Sequence, residues 1–148
     1  MRRLSVLLAT AVMALTLVAV ATGVSAAAPK QQPPPPNHFY GAMYLGDTNV
    51  WWETGTSKAS AVQAATASCE AKDKNCVLSV WVNNGWAVYT EGEVSGGFQS
   101  WSSWGKTEQE ASADGLKACQ DSGATNCQTR FTFQTAIDPN KPTTGGFK

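Results

Sequence analysis

The chain has 148 residues, with 11 Lys and Arg balanced by 11 Asp and Glu. No basic run or patch stands out, which argues against nucleic acid and anionic membrane surfaces as partners. Cysteine is limited to four residues and histidine to His38.

Residues 1–26 read as a secretory leader. Arg2 and Arg3 form a positive start, residues 4–24 are uncharged and mostly apolar, and Val24-Ser25-Ala26 resembles a cleavage site, with Ala27 and Ala28 as alternatives. The competing reading is an uncleaved anchor, because about 21 apolar residues suffice to span a bilayer. Thr10, Thr16, Thr22 and Gly23 interrupt the run, which favours cleavage. Removing Arg2 and Arg3 leaves a mature chain with a net charge of about −2. Contact with the membrane is then expected only through the leader.

Residues 27–38 form a linker in which Pro33-Pro34-Pro35-Pro36 favours a stiff polyproline spacer. Residues 39–137 are expected to make one α+β domain of two pseudo-repeats, 39–83 and 84–137, each strand-strand-helix-strand. Residues 138–148, with Pro139, Pro142, Gly145 and Gly146, read as a disordered tail.

In the first repeat, residues 40–45 predict a strand, 46–49 a turn, 50–54 a return strand, 58–71 a helix capped by Ser57, and 77–82 a closing strand. The second repeat predicts strands over 86–90 and 98–104 separated by a longer turn over 91–97. A helix follows to about residue 120, then a last strand over 128–135. Thr107 and Glu110 have the spacing of a capping box, with Glu110 reaching back to the cap residue. Ala61, Ala65 and Cys69, and likewise Ala111, Gly115 and Cys119, recur every four residues and mark a small-residue helix face packed on a sheet.

An offset of 50 carries Trp51 onto Trp101, Gly55 onto Gly105, Ala61 onto Ala111 and Cys69 onto Cys119, while 51 carries Asn75 onto Asn126 and Cys76 onto Cys127. We read this as an internal duplication. Asn83-Asn84-Gly85 predicts a type I′ hairpin joining the last strand of one repeat to the first of the next. A mainly antiparallel, interlocked sheet carrying both helices is then favoured over strands that stay within their own repeats.

Four cysteines allow three pairings. Duplication and an oxidising compartment favour the local ones, Cys69 with Cys76 and Cys119 with Cys127. Their gaps exceed the usual zinc-ligand spacing and no C-x-x-C occurs, so neither a metal nor a redox cofactor is expected.

His38, at the linker edge, is poorly placed to act as a catalytic base. Glu91 and Glu93 read as solvated turn carboxylates, and Glu53 beside Trp51 and Trp52 is the best hydrolase candidate. No phosphate loop or nucleophile elbow is present, and a non-enzyme is expected. The tryptophans are the stronger lead. Adjacent strand residues face opposite ways, so Trp51 and Trp52 cannot share one core, nor Trp101 and Trp104. These four are the candidate binding residues. The expected partner is another protein, with the chain acting as an inhibitor or effector. The alternative is a cell-wall glycan stacked on the same rings.

Tyr40-Gly41-Ala42, the tryptophan-rich strand, Gly55, Ser57, the alanine-rich helix ending at Cys69 and Cys76 before an apolar strand resemble a secreted actinobacterial family, the domain of unknown function DUF4189. The resemblance covers residues 39 to about 134, and the long turn over 91–97 departs from it. It implies an exported, disulfide-bearing α+β domain at the cell envelope or beyond, and carries no catalytic residues.

Overall fold

Short alternating segments rich in Val, Trp, Tyr and Thr form strands, and the two alanine-rich segments form helices. The computed structural model describes residues 32–147, so the expected leader and its cleavage site lie outside the described residues. In chain order the elements are β1 (Tyr40–Leu45), β2 (Val50–Gly55), α1 (Lys58–Glu70), β3 (Val77–Asn83), β4 (Trp86–Val94), β5 (Gly97–Gly105), α2 (Glu108–Asp121), β6 (Thr125–Gln134) and β7 (Thr144–Phe147). Among the described residues no helix is long and apolar enough to cross a membrane.

Both helices start where a hydroxyl satisfies a free backbone donor. In α1, Ser57 Oγ accepts from Ser60 N at 3.1 Å and Ser60 Oγ accepts from Ser57 N at 3.0 Å, a closed capping box. In α2, Thr107 Oγ1 accepts from Glu110 N at 3.1 Å, but the Glu110 carboxylate accepts from Lys106 N at 2.9 Å. The longer glutamate arm passes the cap residue, so the box expected at Thr107 is open and the serine pair closes one instead. The small-residue stripes are buried as expected. Gly115 shows why: a Cβ there would sit 2.6 Å from Thr90 Oγ1 and 2.8 Å from Ser103 Oγ.

The strands divide into two antiparallel sheets, ordered β2-β1-β3-β7 and β5-β4-β6. Ala42, Tyr44 and Leu78 pack outward on Ala61, Ala65 and Cys69 of α1. The opposite face presents Met43, Val80 and Val82 to Ala87 and Phe133 of the second sheet. Trp52 stacks on Phe133 with ring centroids 5.3 Å apart and planes 13° apart. With α2 on the outer face of the second sheet, the layers run helix, sheet, sheet, helix. Both halves also shift register at one level, where Ser79 of β3 is the extra residue opposite Met43 and Tyr44, and Arg130 of β6 the extra one opposite Tyr89 and Thr90.

This corrects the interlocked sheet. The last strand of each half pairs with the first strand of the same half, and β3 and β4 lie in different sheets. A type I′ turn needs positive φ at both central residues. Of Asn84 and Gly85, only Asn84 has it, at 57°. Distant partners claim the segment. Asn84 N donates to Phe39 O at 2.7 Å, and its side-chain amide donates to the carbonyls of Asp138 and Lys141 at 2.9 and 2.8 Å. Gly85 N donates to Thr135 Oγ1 at 2.9 Å. The dipeptide is a crossing between layers.

The tail over 138–148 is also corrected. β7 pairs with β3, Val80 opposite Phe147 and Asn83 opposite Thr144. The glycines that read as disorder instead supply room. A Cβ on Gly145 would overlap the Trp104 ring, and one on Gly146 would lie 3.0 Å from Trp81 Nε1. Without side chains the strand fits between the two indoles, Trp104 against one face and Trp81 against the other.

Candidate functional site

Each helix end is tied to the start of the following strand by a formed disulfide, Cys69–Cys76 and Cys119–Cys127, both with Cα atoms 6.0 Å apart. Inside each disulfide loop one asparagine adopts positive φ, Asn75 at 53° and Asn126 at 52°. Asparagine tolerates this region better than most residues. Each turns its amide onto a carboxylate at the neighbouring hairpin end: Asn75 Nδ2 donates to Asp47 at 3.1 Å and Asn126 Nδ2 donates to Glu93 at 2.9 Å. The disulfide loops therefore hold both hairpins at one end of the sandwich.

The first loop adds a second tie. Asp73 Oδ2 accepts from Thr48 N, Thr48 Oγ1, Asn49 N and Trp51 Nε1 at 3.2, 2.9, 3.0 and 3.1 Å. The Trp51 indole N–H leads the donors that hold this carboxyl well below the usual range, against the opposing pull of desolvation. In the second loop the matching position is Ala124, which packs beside Gly92.

The two hairpins differ in length. β1 and β2 have 6 residues each, β4 and β5 have 9 each, and the pairing Val94 with Gly97 closes the second hairpin. The turn expected over 91–97 is thus mostly strand. Three extra rows at ~3.4 Å per residue carry the second hairpin about 10 Å further. It overhangs the β1–β2 turn, and a cleft of about 400 Å³ lies beneath, lined by residues 45–50 on one side and Tyr89, Glu91 and Ser100 on the other. Tyr89 OH donates to Glu91 Oε1 at 2.9 Å, and Arg130 Nε donates to Glu91 Oε2 at 3.1 Å. Burial first, then this bond to Glu91, pushes the Tyr89 phenol up. Strand alternation places Phe98 on the same face as Ser100, two rows nearer the hairpin tip opposite Glu93, and it is 70 % exposed.

The four candidate tryptophans do not form one surface. Trp52 and Trp104 lie between the sheets, Trp52 against Phe131 and Phe133 and Trp104 under β7. Trp51 is on the outer face of the first sheet, tied to Asp73, with the Lys72 ammonium 5.2 Å from its ring. Trp101, opposite Thr90 and in phase with buried Ser103, is on the outer face of the second sheet. All four are half-buried. Glu53 accepts from Ser68 Oγ of α1 at 2.7 Å, and His38 Nδ1 lies 3.0 Å from Thr54 Oγ1. Among the described residues no cluster of His, Cys, Asp and Glu could hold a metal. The cleft residues Tyr89 and Ser100, Arg130 bonded to Glu91, and Phe98 nearer the hairpin tip were not singled out from sequence. The available signal was the extra length of the second hairpin, with Phe98 directly after Gly96-Gly97.

Fold and site together define a disulfide-stapled α+β domain with matched halves and one overhanging hairpin. Residues 40–133 match the family described as domain of unknown function (DUF4189), and the chain belongs to that family. The family description names no activity. No curated protein and no solved structure matches the chain.

Proposed function

We propose that this chain is an exported, non-enzymatic binding domain built by duplication of one strand-strand-helix-strand unit, and that its partner is another protein. The observation that carries this reading is the β4–β5 hairpin, three rows longer than β1–β2, with Phe98 70 % exposed near its tip. A large aromatic side chain left in water on a rigid hairpin is a typical interface anchor. Two local disulfides suit an oxidising compartment outside the cytosol. The glycan alternative has less support, because Trp51 and Trp101 stand on opposite outer faces and Trp52 and Trp104 belong to the seam between sheets.

The test is photo-crosslinking of the exported protein in its producing cells. Benzoylphenylalanine replaces Phe98 in one sample and the exposed helix residue Ala113 in another. A discrete protein adduct at position 98 and none at 113 is expected. No adduct at 98 above the 113 control refutes the proposal.

A further inference from the structure

β7 fills a slot that the rest of the domain builds without it. The slot is the outer edge of β3, with Trp81 on one side and Trp104 on the other. β7 pairs along that edge from Val80 opposite Phe147 to Asn83 opposite Thr144. Successive strand residues face opposite ways, so Gly145, opposite buried Val82, turns to the seam between the sheets, and Gly146 turns to the outer face. A Cβ on Gly145 would overlap the Trp104 ring, whereas one on Gly146 would lie 3.0 Å from Trp81 Nε1. The seam position therefore admits glycine alone, and the outer position admits glycine or, after a small shift of the indole, alanine. Phe147 follows, opposite Val80 and 59 % exposed. Recognition rests on main chain and on room for residues without side chains, which is the chemistry of strand addition at a sheet edge.

The walls and their occupant differ in origin. Trp81, Val82 and Trp104 lie within residues 40–133, the span of the family match, and β7 lies beyond it. The occupant is also lightly held. Its connector is pinned to Asn84, whose side-chain amide donates to Asp138 O and Lys141 O and whose carbonyl accepts from Thr143 Oγ1 at 2.7 Å. Past Thr143 the side-chain bond to β7 is a long one, Asn83 Nδ2 to Thr144 Oγ1 at 3.5 Å. Ordering two glycines costs more backbone entropy than ordering any other pair. β7 is thus a short strand on a fixed hinge, the arrangement of a ligand tethered in cis. We infer that the β3 edge between Trp81 and Trp104 is a peptide-binding site that takes an extended glycine-glycine-aromatic segment of a partner protein by strand addition, and that β7 is its tethered competitor. Residues 144–147 swing out about Thr143, and the incoming strand pairs with β3 and covers the same two indoles. The site is separate from the Phe98 surface and stands independently of it.

The probe is the acetylated, amidated peptide of residues 142–147, titrated into the isotope-labelled, oxidised full chain and followed by amide and indole chemical shifts. The control peptide carries valine in place of its first glycine. Gly145→Val disables the tethered competitor and leaves both indoles in place. That chain is expected to bind the probe, with shifts at the amides of residues 80–83 and at the indole N–H groups of Trp81 and Trp104. The unaltered chain should bind it about tenfold more weakly or less, because a tethered strand competes at an effective concentration of about 1 mM. The control peptide should bind neither. A second preparation guards against a folding defect in Gly145→Val: a protease site inserted between Ile137 and Asp138 and cut after folding makes the native tail a dissociable ligand, which excess probe should replace. Failure of the probe to bind in both preparations overturns the inference, as does equal binding of probe and control. So does an unaltered chain that dimerises through its tail and loses the dimer in Gly145→Val, because the occupant is then a second copy. Failure of the crosslink at position 98 removes the earlier proposal and leaves this one in place.

Discussion

Gly115→Ala sets two effects of known size against each other. Helix propensity alone favours alanine over a mid-helix glycine by about 1 kcal/mol. Packing opposes it, because the new methyl would lie 2.6 Å from Thr90 Oγ1 and 2.8 Å from Ser103 Oγ, closer than a carbon and an oxygen can sit. Thr90 is β-branched and fully buried, so its hydroxyl cannot swing into water. Ser103 Oγ donates to Ala111 O at 2.6 Å, and turning it aside breaks that bond, worth about 1 kcal/mol. Overpacking of this kind costs about 1–3 kcal/mol. The expected balance is a loss of about 1 kcal/mol, which lowers the melting temperature by about 4–8 °C in a domain of this size. Urea denaturation of the oxidised protein, followed by tryptophan fluorescence, reads the difference directly. Thr90→Ala should relieve the clash, so Gly115→Ala should cost less, or stabilise, in that background. If Gly115→Ala stabilises the otherwise unaltered protein, close approach of α2 to β4 and β5 is not what selects glycine, and the spacing argument for both helix stripes fails.

The Asp73 carboxylate should give a stability difference that depends on pH. Its folded pKa lies below its ordinary value, so its contribution is complete above the ordinary range near 4 and is lost as pH falls toward the folded value. Urea midpoints of the wild type should therefore exceed those of Asp73→Asn by a constant margin from pH 7 to 5, and the gap should narrow by pH 2.5; a gap that widens in acid contradicts the clasp. Replacing both members of either cysteine pair with serine should cost about 2–3 kcal/mol, since the two bridges close loops of similar length, with separations of 7 and 8 residues. Gly145→Val should lift β7 from Trp104, so limited proteolysis should remove the tail while the urea transition of the rest persists. Phe98→Ala, on an exposed tip, should leave the urea midpoint within about 0.5 kcal/mol of wild type, so a lost crosslink cannot be blamed on unfolding.

Local features were legible from the amino acids. The helix stripes, the Ser57 and Thr107 caps and both disulfides depend on residues within about two turns of one another. Strand partnership was not legible. Asn84 is held by carbonyls 54 and 57 residues further on, and those contacts outweigh the local preference of Asn-Gly for a hairpin. The tail failed for a related reason: Gly145 and Gly146 carry the same letter whether they confer flexibility or make room for two indoles. At the site, the tryptophans drew attention by size and number, yet alternation could say only that neighbours face apart. Which face meets the other sheet is decided by the pairing of the two halves. Phe98 stood out as the proposed anchor only once the second hairpin was seen to outrun the first by three rows.

The inner face of each sheet is covered by the other sheet alone. On the export proposed above, with the N-terminus leading, residues 40–83 would reach the far side first. They can close Cys69–Cys76 and dock α1 at once, because both contacts are local. Met43, Trp52, Val80 and Val82 nevertheless stay wet until Ala87, Phe131 and Phe133 arrive. A half-emerged polypeptide would then be oxidised but still adhesive, a state that invites pairing with a neighbouring nascent copy. Prompt delivery of the trailing half would then close the exposed seam before it meets another chain.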